Sequence, residues 1–393
     1  MAKEHILIAG GGIGGLAAAL SLAEQGFGVD VFEQAAEFGE IGAGIQLSAN
    51  CTKVLFGLGL EEPLRKIAFL PEGSEMRDWK SGKTISTSTL GERALQKFGA
   101  PYFHVHRADL MVVLAEAAQA HECIRLHTDM EVTTVEQEEG RVTLKAGSDA
   151  YTGDVLIGAD GIRSVVRSHL FGAEAPTFTG NVAWRGLVPV DRLPKDLIRP
   201  VATVWWGPGK HFVHYYVRRG QLVNCVCVVE KDGWEVESWT EKGEHAELMA
   251  DFDGWHDTIQ TLIANMDPMS CYKWALFDRP PMPKWGDGHI TLLGDACHPT
   301  LPFMAQGAAM AIEDGAVLAR CLATGNDVPT SLKKYEDLRR DRTARIQMGS
   351  RRNASIFHAR GFKAMARNLA AKKAAGKAFD WVYQYDPLTA HLT

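Results

Sequence analysis

The sequence predicts an α/β fold: a Rossmann-like dinucleotide-binding domain, interrupted by a mostly antiparallel β-sheet and followed by C-terminal helices. Three observations predict it. A glycine-rich turn, Gly10-Gly-Gly-Ile-Gly-Gly15, follows the first apolar run. Strand–turn–helix patterns return at residues 154–167 and 289–319. Between them, from about Pro176, short β-type runs follow one another at turn-like spacing.

The first element, His5-Ile-Leu-Ile-Ala9, is an uninterrupted apolar run, as a parallel strand buried on both faces requires. Gly10, Gly12 and Gly15 then fit G-x-G-x-x-G, and Leu16–Glu24 reads as the following helix. Gly10 allows the tight turn and Gly12 lets a pyrophosphate approach the backbone. Gly15 lets helix and strand pack closely, and the helix N-terminus faces the anion. Val29-Asp-Val-Phe-Glu33 reads as a second strand ending in an acid that suits a ribose diol and repels a 2′-phosphate. Asp154–Gly158 is another apolar strand, with a turn at Asp160-Gly161 and a helix start at Ser164–Arg167. Alone, that junction is an ordinary Asp-Gly turn.

His289–Gly294 reads as a strand ending at Asp295, whose carboxylate suits the ribityl hydroxyls of a flavin. Pro299 and Pro302 extend the next loop, and Gly307 opens a helix reaching Ala319. Its free N–H groups and positive dipole end would stabilise the anionic N1–O2 edge of reduced flavin.

Between these segments, Asn181–Pro189, Ala202–Trp206, His211–Val217, Leu222–Val229 and Cys271–Phe277 read as strands, and His245–Met266 as one helix. The domain reading is 1–175 for the first part of the dinucleotide-binding domain and 176–285 for a substrate domain. Residues 286–325 form a return segment and 326–393 a C-terminal helical region. The cofactor is expected at the junction.

The 393 residues carry a net charge of −6, which gives no basic stripe for nucleic acid. The seven cysteines form neither C-x-x-C nor zinc spacing, and their odd number with apolar flanks fits a reducing, cytoplasmic compartment. Residues 6–23 are apolar enough to mimic a signal peptide, but Gly10–Gly15 breaks the helix and Glu4 sits where positive charge belongs. No run has the length of a membrane span. The basic amphipathic stretch Gly361–Lys377 reads as a solvated helix rather than a stable membrane contact. A monomer or homodimer is expected.

The glycine motif, the Asp-Gly motif and the Gly-Asp motif, in this order from about residue 4 to about 350, resemble the class A flavoprotein aromatic hydroxylases. The likeness is to the salicylate hydroxylase and 3-hydroxybenzoate 6-hydroxylase branch, with a para-hydroxybenzoate hydroxylase type of fold. Supporting matches are Gly39–Gln46 through Asn50, His106-Arg107-Ala-Asp-Leu110, Trp184-Arg185-Gly186 and Tyr335–Arg342. The resemblance implies FAD, NADH or NADPH as transient reductant, and O2 as co-substrate. A flavin hydroperoxide would then insert oxygen into a phenolic ring. It implies FAD contacts at Gly10, Gly12, Gly15, Glu33, Arg107, Asp160, Gly294, Asp295 and Gly307.

That chemistry needs a base at the phenol and a dry pocket. His211-Phe-Val-His-Tyr-Tyr216 offers candidates on both strand faces: His211, Val213 and Tyr215 on one, His214 and Tyr216 on the other. The resemblance favours His211 as base and Tyr215 as its neighbour, and places Pro302 in the catalytic set. Arg185, His211 and Gln46 are candidate substrate contacts, with Arg185 or His211 as partner for a ring carboxylate. The structural alternative has one histidine solvent-exposed and the other a satisfied core residue. His104 and His106 share a strand face, but a metal pair there lacks a third ligand, so no metal is expected.

The second nucleotide fold and redox cysteine pair of flavin disulfide reductases are missing. So is the W-x-W-x-I-P segment of tryptophan-type halogenases. The expected function is hydroxylation of a monocyclic phenolic acid. Alternatives are a monooxygenase for a hydroxypyridine carboxylate or other heteroaromatic, an FAD oxidase or dehydrogenase, and a non-catalytic FAD redox sensor.

Overall fold

The structure, a computed structural model, describes residues 3–39, 43–231, 242–374 and 378–392. Glu40, Ile41 and Gly42 of the loop after the second strand lie outside the described residues, as do Ala375, Gly376 and Lys377 at the end of the basic stretch.

Two sheets organise the chain. The first has six strands in the order β17–β18–β11–β1–β2–β7. These are Gly286–Asp287, Ile290–Leu292, Val155–Gly158, His5–Ala9, Gly28–Phe32 and Ile124–His127. All pair in parallel except β17. The central strands β1 and β11 are near-continuous apolar runs because both of their faces are covered. Ile6, Leu7 and Ile8 are fully buried. Helices α1 (Ile13–Ala23) and α9 (Gly307–Thr324) meet through small residues: a Cβ at Gly315 would lie 2.8 Å from the Ala18 Cα.

The second sheet has seven strands in the order β16–β12–β15–β14–β13–β4–β5. They are Tyr272–Asp278, Thr177–Pro189, Leu222–Glu230, Lys210–Val217, Val201–Gly207, Gly73–Asp78 and Thr84–Thr89. Pairing is antiparallel except between β13 and β4. Residues 73–89, far ahead of the antiparallel run in sequence, thus complete this sheet.

Its outer face, with Trp184, Trp205, Phe212, Cys225 and Cys227, packs against Leu248, Phe252, Ile259 and Ile263. Those side chains come from two helices and their link, α7 (His245–Asp251) and α8 (Asp257–Ala264), where one helix over His245–Met266 was expected. Gly254 adopts φ +72°, and the His256 ring accepts from Thr258 N at 3.2 Å. A left-handed glycine followed by a new cap stops one helix and starts another, which apolar periodicity alone does not reveal.

Smaller elements complete the fold. β3 (Gly44–Leu47) pairs with β6 (Phe103–His106), and β8 (Val132–Glu138), β9 (Arg141–Ala146) and β10 (Asp149–Gly153) form a meander. Helices α2 (Ala49–Gly57), α3 (Glu61–Ile67), α4 (Gly91–Phe98), α5 (Arg107–Ala120) and α6 (Val165–Phe171) flank the sheets. After α9, the long helix α10 (Val328–Phe357) starts on an Asp327 side chain that accepts from Thr330 N at 3.0 Å. α11 (Gly361–Ala374) and α12 (Asp380–Tyr383) close the chain.

Candidate active site

The three motif segments converge at the carboxyl ends of β1, β11 and β18. A Cβ on Gly10, at φ +102°, would sit 2.4 Å from the Ala159 carbonyl oxygen. One on Gly14 would sit 2.8 Å from Leu293 and 3.0 Å from Ala311. Only backbone fits at these crossings. Gly12 is the contrast: a Cβ there would meet nothing within 4 Å, so this side of the turn is open to a ligand.

These residues fit a dinucleotide in three further respects. Helices α1 and α9 both begin without a side-chain cap and without an acid in the first turn, leaving their N–H groups and dipoles for an anion. Glu33 stands at the end of β2, its two oxygens accepting from Gly11 N and Ala35 N at 2.8 Å each. Asp160 uses Oδ2 to accept from Val165 N and Val166 N, whereas its buried Oδ1 has no protein partner. Burial raises the Asp160 carboxyl, opposed by the α6 N–H groups. Asp295 keeps an exposed edge within the cleft. The dense protein around it raises its pKa, while His298 and Arg107 pull the other way, which places Arg107 at α5's start beside it.

Beneath this cleft lies a buried ionic network. Arg339 contacts Glu313 and Asp314 at 2.6 Å each, and His298 Nε2 lies 2.5 Å from Asp314. Burial opposes ionisation of both acids, yet Arg339 and Arg342 hold Glu313 low, and His298 and Arg339 hold Asp314 low. Asn50 Nδ2 donates to Glu313 and to Gln306, tying α2 to the start of α9.

The inner face of the seven-stranded sheet turns toward this centre. One row across it reads Trp274, Ala183, Val228, His211 and Trp206. The next reads Tyr272, Arg185, Val226, Val213, Val204 and Met76. Asn224 and Tyr215 follow. His211, Arg185 and Tyr215 therefore share one face, and His214 takes the other.

His211 meets the Phe303 ring edge-on at 5.0 Å, putting it under the loop that joins Asp295 to Gly307. That loop is pinned from α10: Gln347 donates to Pro299 O at 2.9 Å, Ser350 to Leu301 O at 2.5 Å and Asn353 to Phe303 O at 3.1 Å. Pro302 opens its short 3-10 turn. Burial, and then His358, hold the His211 ring well below the usual histidine range. The Tyr215 and His104 rings lie 4.6 Å apart, tilted by 46°, and burial raises the Tyr215 hydroxyl pKa against the pull of Arg185. The Arg185 guanidinium lies 4.6 Å from the Trp274 ring. Gln46 accepts from the Tyr102 hydroxyl at 2.7 Å.

His214 instead accepts from Trp205 Nε1 at 3.0 Å, within the outer layer. Sequence reasoning missed Tyr102, Asn224 and His358. Asn224 accepts from Gly44 N at 2.6 Å and His358 touches His211. Tyr102 is adjacent to the Phe103–His106 strand, a usable signal, but nothing local marks the other two.

The FAD binding domain family matches residues 3–350. The chain belongs to this family, as a class A flavoprotein aromatic hydroxylase. It is 39% identical over 388 residues to 3-hydroxybenzoate 6-hydroxylase of Polaromonas naphthalenivorans, covering 97% of this chain and 96% of that one. It is 38% identical over 357 residues to 6-hydroxynicotinate 3-monooxygenase of Bordetella bronchiseptica, covering 89% and 91%. Klebsiella pneumoniae HpxO complexed with FAD and uric acid superposes with a TM-score of 0.87 at 26% identity, over 99% and 98% of the two chains. The protein is an FAD-dependent monooxygenase of aromatic rings, using NAD(P)H and O2. No described helix is long and apolar enough to cross a membrane.

Proposed function

We propose that this enzyme hydroxylates a monocyclic phenolic acid, 3-hydroxybenzoate-like or salicylate-like, with NADH as the preferred reductant. One observation carries the reading: His211, Arg185 and Tyr215 share the sheet face that lies under the Pro302 loop. His211 accepts the phenol proton, for which a neutral ring is required, and its burial keeps it neutral. Arg185 pairs with the ring carboxylate, and Tyr215 and Gln46 shape the pocket. Pro302 holds the loop between substrate and flavin.

FAD, when bound, would carry the electrons of the nicotinamide reductant to O2 and supply the oxygen-transfer chemistry. Gly10, Gly12, Gly15 and the α1 N-terminus would hold its pyrophosphate, Glu33 its ribose and Asp295 its ribityl chain. Arg107 and Asp160 would line its site, and Gly294 and Gly307 would leave the α9 N-terminus open to it. The enzyme acts in the cytoplasm as a monomer or homodimer, with no metal and no nucleic-acid partner.

A hydroxypyridine carboxylate is the second reading, supported by the 6-hydroxynicotinate 3-monooxygenase relative. The test is stimulated NADH oxidation with product mass from labelled O2 across hydroxybenzoates and hydroxypyridines. Labelled product from 3-hydroxybenzoate or salicylate upholds the first reading. Turnover of hydroxypyridines alone replaces it with the second.

A further inference from the structure

His211 begins a hydrogen-bonded path that ends at the surface. Its Nδ1 lies 2.7 Å from Nε2 of His358, and His358 Nδ1 lies 3.1 Å from Oε1 of Glu230. The other Glu230 oxygen accepts from Arg360 at 2.8 Å. Both histidines are buried, whereas the Glu230 side chain is 44% exposed. Three groups thus connect the sheet face under the Pro302 loop to water.

We propose that His358 and Glu230 are relay residues, which act through His211 to carry the substrate's phenolic proton to solvent. The proposal rests on His211 being the base.

The ring orientations set the protons. Neutral His211 carries hydrogen on Nδ1 and donates to His358 Nε2. Neutral His358 carries hydrogen on Nδ1 and donates to the Glu230 carboxylate. When the phenol O–H bond breaks, His211 Nε2 takes the proton and its Nδ1 proton passes to His358 Nε2. The His358 Nδ1 proton then passes to Glu230 Oε1 and on to water. Each ring exchanges one tautomer for the other and stays neutral. Glu230 is neutral only until it passes the proton to water, which restores its carboxylate; the net change is one phenolate in the site and one proton in solvent, so charge and protons balance. Run in reverse, the path returns a proton to the product.

A path that forms no lasting imidazolium suits a buried site. Burial lowers the pKa of both histidines, and for His358 the Glu230 carboxylate opposes burial while Arg360 and Arg367 reinforce it. Around His211 stand the Phe303 and Phe357 rings, at 5.0 and 5.2 Å.

The path is also built rigidly. Gly209, in the β13–β14 turn, donates to His358 O at 3.1 Å and accepts from Glu230 N at 2.9 Å. Gly209 adopts φ +71°, a conformation that favours glycine, and a Cβ there would crowd the end of Arg360 at 2.3 Å. Arg367 donates to Ile356 O and Phe357 O at 3.1 and 2.9 Å, fixing the end of α10. A relay needs its donors and acceptors in place before reaction, and these bonds supply that.

The test is a stopped-flow pH jump on the FAD-loaded full chain with 3-hydroxy-4-nitrobenzoate bound, following nitrophenolate absorbance. Glu230→Gln and His358→Gln should each slow ionisation of the bound probe roughly ten-fold or more, with FAD content and probe affinity unchanged. Glu230 is a surface residue, so its variant keeps the test open if the histidine variant fails to fold. Added imidazole should restore the rate in His358→Gly, a recovery that lost packing alone does not give. Wild-type ionisation rates in both Gln variants would overturn the relay and leave the substrate reading standing. A probe that binds wild type but never ionises would overturn both.

Discussion

His211 and His214 stand three positions apart on β14, are both buried, and both resist protonation. Their surroundings differ in kind. His214 faces the helix layer, where Trp205 donates to it, and burial followed by Arg77 lowers its pKa to about 3. His211 faces the flavin-binding half, with a histidine partner that leads to water and a loop ring against its edge. Burial and a depressed pKa therefore do not identify a base. What separates the two is what lies beyond each ring: a packed indole, or the Phe303 loop on one side and His358 on the other.

The sharpest way to break this comparison is to remove each ring. His211→Ala is expected to keep its FAD but lose hydroxylation by about 10²-fold or more, while NADH oxidation becomes uncoupled and yields peroxide. Its pH profile should also lose the acidic limb, since a histidine must be neutral to accept a proton. Product and peroxide yields measure this, and unchanged rate and coupling would assign the base elsewhere. His214→Ala should do the reverse. It is expected to cost about 1–3 kcal/mol of stability by leaving the Trp205 N–H unpaired, with coupling intact, as denaturant titration and product assay would report.

Across the cleft, Asp295→Ala should weaken FAD retention about ten-fold or more, through loss of a charged hydrogen-bond acceptor. Flavin release followed by fluorescence checks this, and wild-type retention would remove the ribityl contact.

A smaller effect concerns acid. The folded-state pKa values of His104 and His214 are depressed from 6.5 to about 3, mainly by burial. At pH values below 6.5 the unfolded chain binds protons that the folded chain refuses. Stability present above 6.5 is thus lost progressively as pH falls toward 3. His214→Gln should flatten that decline in urea midpoints between these limits. An unaltered slope would mean that other groups govern it. The smallest effect expected is the reductant preference: catalytic efficiency should favour NADH, and equal efficiency with NADPH would remove that preference.

Local chemistry made much of the cofactor half legible. Gly10, Gly12 and Gly15 between an apolar strand and a helix, with Glu33 at the next strand's end, form a short-range pattern that can be read without any distant partner, although the contact that crowds Gly10 comes from Ala159. Gly15 shows this directly: a Cβ there would lie 1.9 Å from the Gly10 carbonyl oxygen. The strands of the inserted sheet were legible for the same reason, since their alternation is local. The break at Gly254 was not, because the amphipathic pattern runs through it.

The substrate half was legible only as candidates. The sequence placed His211 with Tyr215 and apart from His214, since strand side chains alternate with a period of two. It left open which face meets the flavin. That depends on register with β13 and β15, on Phe303 arriving from 92 positions away, and on α10 delivering His358 from 147 away. No local pattern encodes such separations. The sequence by itself determined the family, the cofactor and the motif glycines, because backbone turns and strand ends are short-range. Only the tertiary structure decided which histidine lies under the Pro302 loop and what lies behind it, because burial on one face rather than the other is fixed by packing between distant elements.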